Sequence, residues 1–138
     1  MDENAGKEFG PYRIIAPLGA GGMATVYRAF QPGMERYVAI KVLPPAYALD
    51  AKFVERFRRE ARTIAKLEHP HILPVYDFGE AQGSLYLVMR LIETGTLYDR
   101  MKRGPLALAE AHQVIAQIAD ALDYAHSQGV IHRDIKPS

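Results

Sequence analysis

Between Ala51 and Glu68 the sequence reads AKFVERFRREARTIAKLE, with no glycine or proline, and Asp50 stands before it as a helix N-cap. Phe53, Phe57, Ile64 and Leu67 recur there at helical spacing and make one apolar stripe. At about 100° per residue, Glu60 falls in the middle of that stripe, while Arg58 and Arg59 fall outside it. A carboxylate that faces a core is costly unless a cation meets it. This helix therefore demands a positive partner from a neighbouring element, and few folds supply one.

The flanking segments read as strands. YRIIAPLG (Tyr12–Gly19), TVYRAF (Thr25–Phe30) and RYVAIKVL (Arg36–Leu43) are rich in β-branched and aromatic residues. Pro32-Gly33 marks the turn between the second and third, and Pro44-Pro45 stops the run. After the helix come HILPVYDF and SLYLVMRL, with Gly79 and Gly83 bounding their turn. GTLYDRMKRG predicts a short helix. The stretch Ala109–Gln128 predicts a long one, with Ala111, Val114, Ile115, Ile118, Leu122 and Ala125 on one face and Gly129 as its stop. The order is strands interrupted by one helix, then helices, without repeats or linkers.

Composition narrows the function classes. The charge is 17 − 16 = +1, so no strong field points toward nucleic acid or anionic lipid. The chain has no cysteine, which excludes disulfides and thiolate metal sites and suits a reducing compartment. Its first residues, MDENAGKEFG, are polar and acidic, unlike a secretory signal, and no apolar run has the length of a membrane span. These features lead to the expectation of a cytoplasmic chain.

Three stretches carry chemistry. In LGAGGMATVY, glycines at 19, 21 and 22 let the backbone approach a phosphate and turn its N–H groups inward. A dinucleotide fingerprint needs a helix directly after the glycines, and a Walker loop needs Gly-Lys-Ser/Thr. The strand-type run Thr25-Val26-Tyr27 follows instead, so the loop reads as a β-hairpin lid, or as a plain flexible hairpin tip. In VAIK, Lys41 has apolar neighbours; it is either an outward edge lysine or the cation that Glu60 demands. In HRDIKPS, Asp134 is suited to accept a proton from a hydroxyl and Lys136 to neutralise a moving phosphoryl group. His132 fits a role in holding the loop, and Arg133 is a phosphate partner or a solvated cation.

Together these residues resemble a protein kinase, whose order of glycine loop, VAIK, helix glutamate and HRD they follow. LGAGGMATVYRA and YAHSQGVIHRDIKPS are most similar to bacterial kinases of the eukaryotic serine/threonine type. The resemblance runs from Tyr12 to the last residue. It implies an α+β fold: a lobe with a five-stranded antiparallel sheet and one long helix over 12–91, preceded by a tail over 1–11. The hinge and an incomplete helical lobe ending in the catalytic loop follow over 92–138.

The resemblance also assigns roles. It implies that the loop Leu18, Gly19, Ala20, Gly21, Gly22, Met23, Ala24, Thr25 and Val26 covers ATP, its glycines lying over the phosphates. Ala39 would lie against the adenine, Lys41 hold the α- and β-phosphates, and Glu60 fix Lys41. Met89 would gate the back of the pocket, and the Arg90 carbonyl and Ile92 amide would bond the adenine edge. Asp134 would be the catalytic base, and Lys136-Pro137 favours serine/threonine over tyrosine substrates.

Three features depart from the family pattern. Ala24 replaces the third loop glycine, and Arg90 stands where an acidic residue is usual. The catalytic-loop asparagine and the Asp-Phe-Gly aspartate beyond it, which hold Mg²⁺ in the family, lie outside these 138 residues. The partners implied are ATP, Mg²⁺ and a protein with a serine or threonine. The alternative is a non-catalytic module that binds a nucleotide or a kinase. The apolar face of 109–128, which an intact helical lobe would wrap, leads to the expectation of a second copy or a partner covering it.

Overall fold

A computed structural model describes residues 4–21 and 23–138. Two compact units divide the chain: Met1–Lys66 with Pro74–Leu91, and Leu67–Leu73 with Ile92–Ser138.

The first unit is a six-stranded antiparallel sheet with one long helix. The strands are β1 (Glu8–Phe9), β2 (Tyr12–Gly21), β3 (Ala24–Gln31), β4 (Arg36–Val42), β5 (Val75–Ala81) and β6 (Ser84–Arg90). Their spatial order is β1-β2-β3-β4-β6-β5. Five strands were expected; the sixth is β1, which lies within the stretch read as a tail. It is two residues long, too short for a periodic pattern, and exists because Gly10 adopts φ +58° and folds Phe9 back opposite Tyr12. In β2 the register shifts between Pro17 and Gly19, a bulge where proline lacks the N–H the ladder needs.

Alternation along the strands builds the core on one face. Ile14, Ala29, Val38, Ile40 and Val88 are essentially solvent-free, and Phe9, Tyr12, Tyr27, Val42 and Tyr86 join them. Within this cluster the Tyr12 hydroxyl donates to Asp77 Oδ2 at 2.9 Å. Burial, reinforced by that hydrogen bond and the Asp77 charge, pushes the Tyr12 hydroxyl far above its ordinary pKa. Tyr86 is raised for the same first reason, with Asp77 adding to it.

Helix α1 (Ala51–Ala65) starts where expected: Asp50 accepts from the backbone N–H groups of Lys52 and Phe53 at 3.0 and 3.2 Å. It packs on β5 and on the 3₁₀ turn Pro45–Leu49.

The second unit contains α2 (Leu97–Met101) and α3 (Leu108–Ser127). A capping box of Thr96 and Asp99 opens α2. At the end of α3, Gly129 at φ +78° lets Val130 N–H reach the Ala125 carbonyl and Gly129 N–H the His126 carbonyl, a Schellman stop. The loop Leu67–Leu73 belongs to this unit. There His69 Nε2 lies 3.1 Å from Asp120 Oδ2, and Glu68 N–H donates to the Tyr124 hydroxyl at 3.1 Å. Within the unit, Ala121 and Ala125 are buried, Val114, Ile118 and Leu122 half-buried, and Ile115 is 65 % exposed. No helix among the described residues is long and apolar enough to cross a membrane.

Candidate active site

The sheet face opposite the core carries the first cluster. Lys41 in β4 stands across from Val26 in β3 and Leu87 in β6, and Ala39 stands across from Met89. Gly19 in β2 faces Val26 from the other side. Directly opposed residues point to the same face of a sheet. Gly19, Val26, Ala39, Lys41 and Met89 are thus brought to one surface, on which Arg28 also stands, across from Ala39.

The glycine stretch is a hairpin, with Gly21 paired to Ala24. No helix follows the glycines, as the strand-type run after them indicated. Gly22 lies outside the described residues. Met23 is exposed at the hairpin tip, and its sulfur accepts from the Tyr47 hydroxyl at 2.6 Å. Leu18 is half exposed, and a Cβ at Gly19 would meet no atom within 4 Å. The surface beside the hairpin is therefore open enough for a ligand to approach the backbone.

The expected Lys41–Glu60 pair is not formed. Both side chains are exposed, and no ion pair among the described residues joins them. The reason lies in how α1 rolls on the sheet. Its buried residue is Ala61, with Phe53, Val54, Phe57 and Ile64 half-buried. Including Val54 and Ala61 turns the packed stripe by about 45° from the one read in the sequence, at about 100° per residue. Glu60 is left on its flank. Leu67, assigned to that stripe, lies beyond the helix end at Ala65. Arg58, outside the stripe as expected, pairs with Glu80 of β5 at 3.4 Å.

The HRD segment lies in the second unit and is exposed throughout. His132 Nδ1 accepts the backbone N–H of Asp134 at 3.1 Å, which gives His132 the loop-holding hydrogen bond expected of it. Asp134 Oδ2 and Lys136 Nζ are 3.3 Å apart and form an ion pair. Arg133 takes φ +67°, and the Pro137 carbonyl accepts from Tyr98 N–H of α2 at 2.8 Å, tying the segment to that helix. Arg90 ends β6, and Ile92, half exposed, lies two residues on.

One tripeptide escaped the sequence reading. Asp77-Phe78-Gly79 spells the family's metal motif, but it lies in β5, ahead of the HRD segment. Asp77 is occupied by the Tyr12 hydroxyl, and Gly79 makes room for Tyr86. Among the described residues no three histidine or acidic side chains converge as metal ligands. The residues present therefore do not fit a Mg²⁺ site.

A two-layer lobe with a glycine hairpin over a lysine-bearing strand defines a protein-kinase-like fold. Residues 12–138 match the protein kinase domain family, to which the chain belongs. It is 45 % identical over 138 residues to the serine/threonine-protein kinase PknH of Mycobacterium tuberculosis, covering 99 % of this chain and 22 % of that one. To the serine/threonine-protein kinase PknD of the same organism it is 45 % identical over 133 residues, covering 96 % and 20 %. The crystal structure of the Mycobacterium tuberculosis PknI kinase domain superposes with TM-score 0.83 at 38 % identity, over 96 % of this chain and 55 % of that chain. The chain thus spans about a fifth of these curated relatives and a little over half of a solved kinase domain.

Proposed function

We propose that this chain is the ATP-binding portion of a serine/threonine kinase, which transfers the γ-phosphoryl of ATP to a protein hydroxyl. The observation that carries the reading is the exposed Lys41 ammonium, free of any acidic partner among the described residues, on the sheet face beside the glycine hairpin. Such a cation holds the α- and β-phosphates. Loop N–H groups around Gly19 and Gly21 turn toward the phosphates, and Ala39 and Met89 flank the adenine. Arg90 and Ile92 meet the adenine edge through backbone atoms.

Asp134 accepts the proton of the incoming hydroxyl, and Lys136 offsets charge on the phosphoryl group. Mg²⁺, when bound to a kinase, neutralises developing charge on the phosphates; the described residues do not make its site. With Lys41 and Glu60 unpaired as well, they support nucleotide binding better than turnover. The second reading is a nucleotide-binding or kinase-interacting module without catalysis of its own. A second copy or another protein over the exposed side of α3 fits either reading.

Calorimetric titration of ATP into the chain tests the binding. Lys41→Met is expected to remove most of the measured affinity. Equal affinity in variant and parent would reject the phosphate role of Lys41.

A further inference from the structure

The first unit holds a cavity of about 460 Å³ on the sheet face opposite Lys41. Alternation puts Thr25, Tyr27, Val42 and Ser84 on that side, so the cavity and the kinase-like surface are separated by the thickness of the sheet. Its volume falls in the range of roughly 300–1,000 Å³ that small-molecule sites occupy.

Its lining is chemically one-sided. Phe9, Val42 and Pro44 give apolar walls, and among the described residues no aspartate or glutamate contributes. Among the described residues Lys7 is the single charged one in the lining. Its Nζ donates to Asn4 Oδ1 at 3.1 Å, and Asn4 Nδ2 in turn donates to the Tyr27 hydroxyl at 2.8 Å. An ammonium has three donors, so Lys7 keeps capacity for an anion.

Ser84 supplies the second, independent observation. It is only 5 % exposed, it lines the cavity, and its hydroxyl makes no hydrogen bond among the described residues. Its oxygen is not sealed from solvent, so the hydroxyl opens into the cavity and is hydrated there rather than orphaned. A hydroxyl kept there without a protein partner is one that a ligand can complete.

We propose that this cavity binds a small amphipathic monocarboxylate. Its apolar body lies against Phe9, Val42 and Pro44, its carboxylate meets Lys7, and the Ser84 hydroxyl bonds it from within. One lysine and no arginine fork suit a monoanion rather than a polyphosphate. Ala24 and Thr25, at the start of β3, form part of the wall, so the occupant touches the glycine hairpin from behind.

The test is an amide-shift titration of the ¹⁵N-labelled 138-residue chain with phenylacetate, and with 2-phenylethanol as the uncharged counterpart. Saturable shifts are expected around Lys7, Thr25, Val42 and Ser84, with Kd on the order of 1 mM for so small a probe. Lys7→Met should weaken phenylacetate about fivefold and leave 2-phenylethanol unchanged. Ser84→Ala should weaken both severalfold without lowering the unfolding midpoint, which separates a ligand-facing hydroxyl from a structural one. Shifts that never saturate, that centre on Lys41 or on α3, or affinities equal in both variants and parent would overturn the site.

Discussion

Replacing Gly79 with alanine places a methyl group where there is no room for one. A Cβ there would sit 2.8 Å from the Tyr86 hydroxyl oxygen, and 3.0 and 3.3 Å from two carbons of its ring. The ring cannot swing aside. Phe9 and Tyr12 pack edge-on against it, each with centroids 6.2 Å away, and Gly10 approaches so closely that its own Cβ would lie 2.7 Å from the same hydroxyl. Overpacking of this kind costs about 1–3 kcal/mol. In a unit of this size that lowers the unfolding midpoint by roughly 5–20 °C.

Tyr86→Phe separates the collision from other causes. It deletes the nearest atom, which makes no hydrogen bond among the described residues, and leaves the ring carbon at 3.0 Å. The single change should be nearly neutral. In the Gly79→Ala background it should recover part of the loss, a coupling of about 0.5 kcal/mol or more. Hydrogen exchange at the Ile40 and Val88 amides reads the opening of this unit without interference from the other. Alanine at 79 with undiminished protection, or a Tyr86→Phe change that restores none of it, would refute the argument.

Asp50→Ala should cost about 0.5–2 kcal/mol by orphaning the N–H groups of Lys52 and Phe53, seen as faster amide exchange in the first turn of α1; Asp50→Asn should retain most of that protection. Asp99 is held below the ordinary carboxylate pKa, first by the Thr96 backbone N–H and then by the Thr96 hydroxyl. A depressed folded-state value gives stability that is fully present above the unfolded pKa and is lost as pH falls through the folded one. Amide shifts of Leu97–Met101 should therefore report fraying of α2 below about pH 4, and Asp99→Asn should remove that pH dependence.

Local chemistry made much of this protein legible in one dimension. The Asp50 cap, the Gly129 stop, the strand-type run after the glycines and the alternation around Lys41 each act through near neighbours in the chain, and periodicity reports such neighbours faithfully. That is why the hairpin, the lysine strand and the long helices could be read beforehand. Three features depended on residues distant in sequence. Periodicity groups Phe53, Phe57 and Ile64 on one side of α1, but it does not say how the helix rolls on its neighbour. That was decided against β5 by Val54 and by Ala61, a residue too small to weigh in a hydrophobic pattern yet small enough to permit closest approach. The roll took Glu60 away from the position that its place in the stripe had suggested. Two-residue β1 exists only because β2 accepts it, with Phe9 closing the core. Asp77-Phe78-Gly79 took its meaning from Tyr12 and Tyr86, strands away in the sheet: the same three letters that hold a metal in one context here satisfy a buried hydroxyl and make space for a ring. A motif names side chains, while the partners that give them a role are chosen by packing.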